Sequence, residues 1–245
     1  MRARGASRSE GRGPRFASRA RTARPGLLWI LVYALASPVA APAAGTNTLL
    51  AAWLDAQTNI LTWSADFIQT RTLKTLVQPL TAPGHVWFAA PNRFRWELGD
   101  PPQTIAIRDT HVLYVIYPRL KRAERYPLDG AGPWRDTLAL LDAGFPRSPA
   151  ELESRYSVLS VTTTNNCAQV MLQPKSAAAR RMIQRITIDF SPGDSELRAT
   201  ALQFADGSTL RNDFTNAVLN PKLDAAQFAP RLPPDYQVVE PLNER

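Results

Sequence analysis

Hydrophobic side chains first recur at helical spacing and then switch to every second position. Between Thr46 and Leu61 the apolar residues fall on one helical face, namely Leu49, Leu50, Trp53, Leu54, Ile60 and Leu61. Spacing of three and four residues indicates an amphipathic helix, and Thr46 to Thr48 supply side chains suited to an N-cap. We therefore predict one helix at the start of this region.

After this helix, apolar and polar residues alternate in short runs, beginning at Trp63. The runs are separated by Pro, Gly, Asp and Asn, as in Ala82-Pro83-Gly84 and Gly99-Asp100-Pro101-Pro102. Such alternation between turn residues is typical of consecutive antiparallel strands. Later runs cover 156–163, 167–173, 183–190, 196–204 and 208–215, and Asp206-Gly207 predicts a hairpin between the last two. A sheet of about ten strands is expected to curl or close.

The alternation stops between Pro127 and Leu152. Pro133 and the run from Trp134 to Leu141 predict a short helix with proline in its first turn. Because the apolar face of a large sheet must be covered, we expect the helices to cover it. The tail from Phe228 to Val239 is rich in proline and is expected to lie along the surface.

Residues 1–43 have the three parts of a secretory signal. A basic head is followed by the uncharged run Leu27 to Ala36, and Ala41-Pro42-Ala43 fits a signal-peptidase site. The apolar run is short for a membrane span, although a single anchor remains the alternative. No cysteine stands at the predicted cleavage site, so we expect an exported, soluble protein with one domain from residue 44 to residue 245.

Removing this signal changes the charge of the chain. The whole sequence contains 29 basic and 21 acidic residues, and residues 1–43 contain eight arginines and one acid, Glu10. The rest therefore carries 21 basic and 20 acidic residues and is nearly neutral. Binding to nucleic acid needs a clustered positive surplus, so we exclude nucleic acid as a partner.

The sequence contains no recognisable catalytic, metal-binding or phosphate-binding motif. Its histidines, His85 and His111, have no Ser or Cys partner at a known spacing. The single cysteine, Cys167, lies beside Ala168 and Val170 and is expected to be a small buried hydrophobic residue. We predict that the protein is not an enzyme and uses no metal or cofactor.

Aromatic and aliphatic residues on strand positions are the candidates for a binding site. A barrel of ten or more strands has more interior than side chains easily fill, which favours a ligand cavity over an ordinary core. The predicted cavity residues are Trp63, Phe67, Phe88, Phe94, Trp96, Ile105, Ile107, Leu113, Val115, Phe190, Phe204 and Phe214.

Several short motifs resemble the periplasmic outer-membrane lipoprotein carrier (LolA) family. The most specific is Pro91-Asn92-Arg93-Phe94-Arg95-Trp96, which follows Phe67-x-Gln69 and a strand led by Gly84. Weaker matches run in order along the rest of the chain, at Asp109, Leu113-Tyr114, Tyr117-Pro118, Leu172-x-Pro174, Asp206-Gly207-Ser208, Asn216, Asn220, Phe228 and Pro233-Pro234.

This resemblance implies an α+β, mostly β fold. It implies a single half-open antiparallel barrel of about eleven strands with an N-terminal helix and a helical lid, here about residues 128–153. The implied lid side chains are Trp134, Leu138, Leu141 and Phe145. Familiar members carry an arginine directly before the Pro-Asn pair, and it contacts the lid. Here that position is Ala90, so Arg93 and Arg95 become the candidates for a lid or partner contact, with Arg95 one strand step from the aromatic positions.

The resemblance also implies a monomeric periplasmic carrier of lipoprotein or lipid cargo. Its implied partners are an inner-membrane ABC transporter and an outer-membrane receptor, each in transient contact. Ala90 favours a relative with a different cargo. A lipid-sensing or regulatory binding module of the same fold and, less favoured, a lipid-modifying enzyme remain the alternatives.

Overall fold

One sheet of twelve strands and three α-helices make up the residues that the computed structural model describes, 44–128 and 148–241, with side chains from Thr48 onward. The helices are α1 (Ala44–Thr58), α2 (Pro149–Arg155) and α3 (Ala177–Arg180). The strands are β1 (Thr62–Thr72), β2 (Leu80–Ala89), β3 (Arg93–Leu98), β4 (Thr104–Arg108), β5 (Val112–Tyr117), β6 (Arg122–Pro127), β7 (Tyr156–Thr164), β8 (Cys167–Pro174), β9 (Ile183–Phe190), β10 (Leu197–Phe204), β11 (Thr209–Leu219) and β12 (Gln237–Val239).

The strands follow the order β12-β6-β5-β4-β3-β2-β1-β11-β10-β9-β8-β7. Neighbours are antiparallel except β12, which runs parallel to β6. Within residues 44–128 and 148–241 no pairing joins β7 to β12, so the sheet forms a half-open barrel. This architecture confirms the predicted fold class. Two strands were not predicted from the sequence. The strand β6 has charged residues around Ala123 instead of an apolar alternation, and β12 is short and follows prolines.

The helix ends follow local sequence signals. The first helix begins at Ala44 and ends at Thr58, so it starts slightly before the predicted Thr46 and stops before Ile60. Ser148 caps α2, because its hydroxyl accepts a hydrogen bond from the Glu151 N–H at 3.1 Å, and Pro149 occupies the first turn. Residues 129–147, which include Trp134, Leu138, Leu141 and Phe145, lie outside the described part of the chain, as does the predicted signal.

The main core lies on the face of the sheet that α1 covers, which we call the inner face. Trp53 of α1 stacks on Phe190 with ring centroids 4.8 Å apart, and both side chains are fully buried. The same cluster includes side chains from β1, β2 and β7 to β11. The first helix therefore seals the inner face over the second half of the sheet.

The Asp206-Gly207 hairpin forms as predicted, between β10 and β11. Gly207 has a φ of +81°, a left-handed conformation that favours glycine. The Asp206 carboxylate accepts hydrogen bonds from the Ser208 hydroxyl at 2.6 Å and the Ser208 N–H at 2.8 Å. These bonds lower the pKa of Asp206.

Gly84 lies where a larger side chain would collide with its neighbours, so we expect its replacement to destabilise the protein. A Cβ at this position would overlap the Phe67 ring at Cζ and would lie 2.5 Å from the Glu97 carbonyl oxygen. Because that oxygen belongs to the sheet backbone, we expect Gly84→Ala to lower the free energy of unfolding by about 3 kcal/mol. Urea unfolding followed by tryptophan fluorescence measures this loss.

The matched control is Gly193→Ala, since a Cβ at Gly193 meets no atom of the described chain within 4 Å. We expect this control to change the free energy of unfolding by no more than about 0.5 kcal/mol. Equal stabilities for the two variants would contradict the close packing of Phe67 on β2.

Candidate functional site

Cross-strand pairing aligns two rows of side chains on the inner face of β1 to β6. The first row is Ala65, Val86, Trp96, Ala106, Val115 and Glu124; the second is Trp63, Phe88, Phe94, Arg108, Leu113 and Tyr126. Neighbouring strands lie about 4.8 Å apart, so each row spans about 24 Å. The rows form a largely apolar surface that is interrupted by Arg108 on β4 and becomes polar at Glu124 and Tyr126 on β6.

At one end this surface merges with the sealed core. The Phe67 ring lies 4.0 Å from the Trp96 ring, and Trp63 meets Phe214 edge to face at 5.2 Å. Of the predicted cavity residues that lie on the inner face, five are buried in the protein itself: Trp63, Phe67, Leu113, Phe190 and Phe214. These five side chains serve as packing in the described structure.

The other predicted inner-face residues keep accessible surface. Phe88, Phe94, Trp96 and Val115 are only half-buried and are neighbours within the two rows. Phe204 is also half-buried and packs against the main cluster. Unfilled aromatic and aliphatic surface beside a closed core is what an apolar ligand would cover.

The grouping of Ile105 and Ile107 with these rings was wrong. Ile107 pairs with Arg95, and Ile105 pairs with Glu97, so both isoleucines point to the opposite, outer face. There Ile107 and Ile116 belong to a second hydrophobic cluster. Period-two alternation identified the strand correctly but could not decide which of its faces was the inner one.

Arg93 and Arg95 also lie on the outer face. The Arg93 guanidinium sits 5.3 Å from the centre of the Phe228 ring. Arg95 pairs with Glu97 at 2.6 Å and donates a hydrogen bond to the Gln227 carbonyl oxygen at 3.3 Å. Their described contacts are thus with their own sheet and the C-terminal segment, 220–239, rather than with the inner-face rows.

That C-terminal segment covers the outer face of β3 to β6. Between the two lies a cleft of about 410 Å³ with Trp87, Ile105 and Ile107 in its apolar wall and Arg231 among its polar residues. Phe228 is buried, and Gln237 to Val239 add β12 beside β6. The tail therefore lies along the surface, as predicted, and in addition packs on the sheet through Phe228 and β12.

Polar residues on the inner face were missed by sequence analysis. Arg108 is 8% exposed although it stands between Phe94 and Leu113 in its row. On β6, the Tyr126 hydroxyl donates to Glu124 at 2.7 Å. Burial, followed by this hydrogen bond, raises the pKa of Tyr126. Their spacing in the sequence could have revealed them. Arg122, Glu124 and Tyr126 recur at every second position, which is the period of a strand, and they pair with residues of β5.

His85 has a partner that its sequence neighbours did not reveal. Its Nδ1 lies 2.5 Å from Asp66 Oδ1 across the β1–β2 pair, and its ring lies 4.0 Å from that of Trp87. Asn216 donates a hydrogen bond to the other Asp66 oxygen at 2.8 Å. The bond from Asn216, and then that from His85, lowers the pKa of Asp66. This outer-face cluster ties β11 to β1 and β2.

The remaining candidates for a chemical role are the cysteine, a metal site and a membrane-spanning helix. Cys167 is half-buried at the start of β8, so the expectation of full burial was wrong. Across residues 44–128 and 148–241, no three His, Cys, Asp or Glu side chains come together as a metal site would require. None of the helices in these ranges has the length and apolar character to cross a membrane.

The inner face of the half-open barrel is sealed by α1 over one half and, among the described residues, keeps partly exposed aromatic side chains over the other. Residues 58–231 match the family model described as outer membrane lipoprotein carrier protein LolA, which is more than half of the chain. The protein belongs to the LolA family, a family of carrier proteins.

Two relatives named outer-membrane lipoprotein carrier protein agree with this assignment. An outer-membrane lipoprotein carrier protein of Chromohalobacter salexigens is 28% identical over 207 residues, covering 84% of this chain and 92% of the relative. One of Cupriavidus pinatubonensis is 29% identical over 160 residues, covering 65% and 71%. An uncharacterized conserved protein of Thermus thermophilus, solved by crystallography, aligns with a TM-score of 0.46 and 12% identity over 80% of this chain and 99% of that one.

Proposed function

We propose that the protein is a periplasmic carrier that shelters the acyl chains of a lipoprotein, or of a related lipid, against the inner-face rows. In this proposal residues 1–43 direct export and are removed. The carrier then takes cargo from an ABC transporter of the inner membrane and delivers it to a receptor of the outer membrane. The observation that carries the proposal is the accessible surface that the half-buried side chains of Phe88, Phe94, Trp96 and Val115 keep, in a chain of the LolA family.

Energetics explain why such cargo needs a carrier. Burial of each CH₂ group contributes about 0.8 kcal/mol, so a sixteen-carbon chain costs on the order of 12 kcal/mol in water. An apolar surface of aromatic and branched side chains offsets this cost during transit. Release requires that the cover over the surface open easily, and we assign that cover to the insertion, residues 128–153.

Arg108 gives this proposal a specific polar feature. Its side chain lies on the inner face, directly across from Phe94 on the neighbouring strand. A guanidinium among apolar neighbours attracts carboxylate, phosphate and carbonyl oxygens. We therefore place the polar end of the cargo, or the cover that replaces it, near Arg108, with the acyl chains toward Trp96.

Native mass spectrometry of the protein isolated from the cell envelope tests the proposal. We expect acyl chains to be recovered with the protein, as lipid or as lipoprotein. After removal of this lipid, an apolar fluorophore should bind and be displaced by a long-chain fatty acid. Absence of both lipid and fluorophore binding would show that the rows are an ordinary core.

A further inference from the structure

One end of the sheet brings three connections side by side. Thr72 at the end of β1 pairs with Thr209 at the start of β11, so the β1–β2 loop, 73–79, lies beside the β10–β11 turn. The Lys74 side chain crosses Gly207 of that turn and fills the space where a Cβ would stand. The Ala205 N–H donates to the Met182 carbonyl oxygen at 2.9 Å, which adds the α3–β9 connection to the group. We call this the hairpin end: residues 68–83, 180–185 and 205–208.

Apolar side chains at the hairpin end point into solvent. Val77 at the loop tip is fully exposed, and Leu76, Leu80 and Met182 are 43%, 53% and 42% exposed. Single exposed apolar residues are common on protein surfaces. Here three exposed apolar side chains, Leu76, Val77 and Leu80, lie within five residues of the β1–β2 loop and the start of β2. Grouped apolar side chains of this kind mark an interaction site.

The charges at the hairpin end have one sign. Its residues include five exposed basic side chains, Arg71, Lys74, Arg180, Arg181 and Arg185, and one acidic side chain, Asp206. This surplus of four is local, because the chain outside residues 1–43 is nearly neutral. Asp206 lies close enough to Lys74 for the lysine to contribute to its lowered pKa. Arg71 and Lys74 flank the apolar loop in sequence, whereas Arg180 donates hydrogen bonds to the Pro174 and Lys175 carbonyl oxygens at 2.9 and 2.6 Å.

We propose that the hairpin end docks reversibly on a lipid bilayer that contains anionic phospholipid. Leu76 and Val77 enter the interfacial zone, and the surrounding basic side chains approach the lipid phosphates. Apolar tips with flanking Lys and Arg gain both from apolar burial and from the negative surface potential. Exposed apolar side chains beside a basic surplus suit a bilayer that carries negative charge, whereas a protein partner would need a matching pocket. This inference is independent of the cargo surface, which lies on the inner face.

Vesicle flotation tests the proposal. The protein is used in the form in which it is isolated from the cell. It is mixed with vesicles of phosphatidylcholine alone, or with vesicles of phosphatidylcholine and phosphatidylglycerol in equal amounts. We expect binding to the second kind only, and weakening of that binding as salt is added. Leu76→Ser with Val77→Ser should reduce the partition coefficient by about tenfold. Arg71→Ser with Lys74→Ser should reduce it by about fivefold for each charge removed.

The control pair is Val218→Ser with Leu219→Ser, two side chains that are each 50% exposed at the opposite end of β11. Its partition should equal that of the unchanged protein, and thermal unfolding checks that all variants fold. The proposal is overturned if anionic vesicles bind no protein, or if the control pair loses as much binding as the hairpin-end pairs. Binding to native membranes alone, abolished by protease treatment of those membranes, would assign the hairpin end to a protein partner instead.

Discussion

Replacement of Trp53 by alanine is expected to lower the free energy of unfolding by about 4 kcal/mol. The Trp53 side chain is 1% exposed and stacks on Phe190, which is fully buried, with an angle of 19° between the ring planes. Removing it leaves a cavity between α1 and the sheet and exposes the inner face of β9. Urea unfolding followed by far-ultraviolet circular dichroism measures the loss.

Trp53→Phe provides the comparison. The indole Nε1 is buried and has no hydrogen-bond partner among the described residues, so phenylalanine keeps a stacked ring and removes an unsatisfied donor. We expect this variant to lose less than half of what alanine loses. A loss below about 1 kcal/mol for Trp53→Ala would mean that α1 is not docked on the sheet in solution.

Phe94→Asp is expected to abolish binding of acyl chains, with affinity for an apolar fluorophore or fatty acid falling by about tenfold or more. Phe94 is half-buried in the second inner-face row and is absent from both hydrophobic clusters. Its replacement therefore alters the cargo surface more than the core.

Phe94→Leu is the matched control for this prediction. It keeps an apolar side chain of similar reach, and we expect it to bind the fluorophore nearly as well as the unchanged protein. Thermal unfolding should show that both variants remain folded. Normal binding by a folded Phe94→Asp protein would remove Phe94 from the cargo surface and restrict that surface to Phe88, Trp96 and Val115.

These two experiments probe different halves of the same inner face. The half formed by β7 to β11 is filled by α1, whereas the half formed by β2 to β5 retains accessible aromatic surface. We therefore expect Trp53→Ala to affect stability, and Phe94→Asp to affect binding of the proposed cargo. A carrier needs both, because a rigid sealed half can hold its shape while the other half fills and empties.

Arg93 and Arg95 show that a sequence motif can identify a family without revealing which face of the sheet its side chains occupy. The run from Pro91 to Trp96 located the family, yet the two arginines contact Phe228 and Gln227 on the outer face. Ala90 stands in place of the family's lid-contacting arginine. In the described part of these strands, Arg108 is the arginine that lies within the aromatic rows of the inner face. Only the pairing of β3 with β4 shows this.

The strand β4 marks the limit of what alternation can predict. Its sequence, Thr-Ile-Ala-Ile-Arg, places the larger apolar residues on one side and Ala106 and Arg108 on the other. Alternation suggested that Ile105 and Ile107 face the cavity. The C-terminal segment instead covers them, so the larger apolar side of this strand is the outer one.

Local signals in the sequence by themselves determined most of the strands, the Asp206-Gly207 hairpin, the first helix and, through short motifs, the family. These features depend on residues close together in the chain, where turn geometry and the periods of helix and strand act directly. The tertiary structure decided which side of each strand became the inner face. It also brought Arg108 beside Phe94 and assembled the hairpin end from three separate segments. The physical reason is that a period of two defines two faces but not their covers, which come from α1 and the C-terminal segment, far away in sequence.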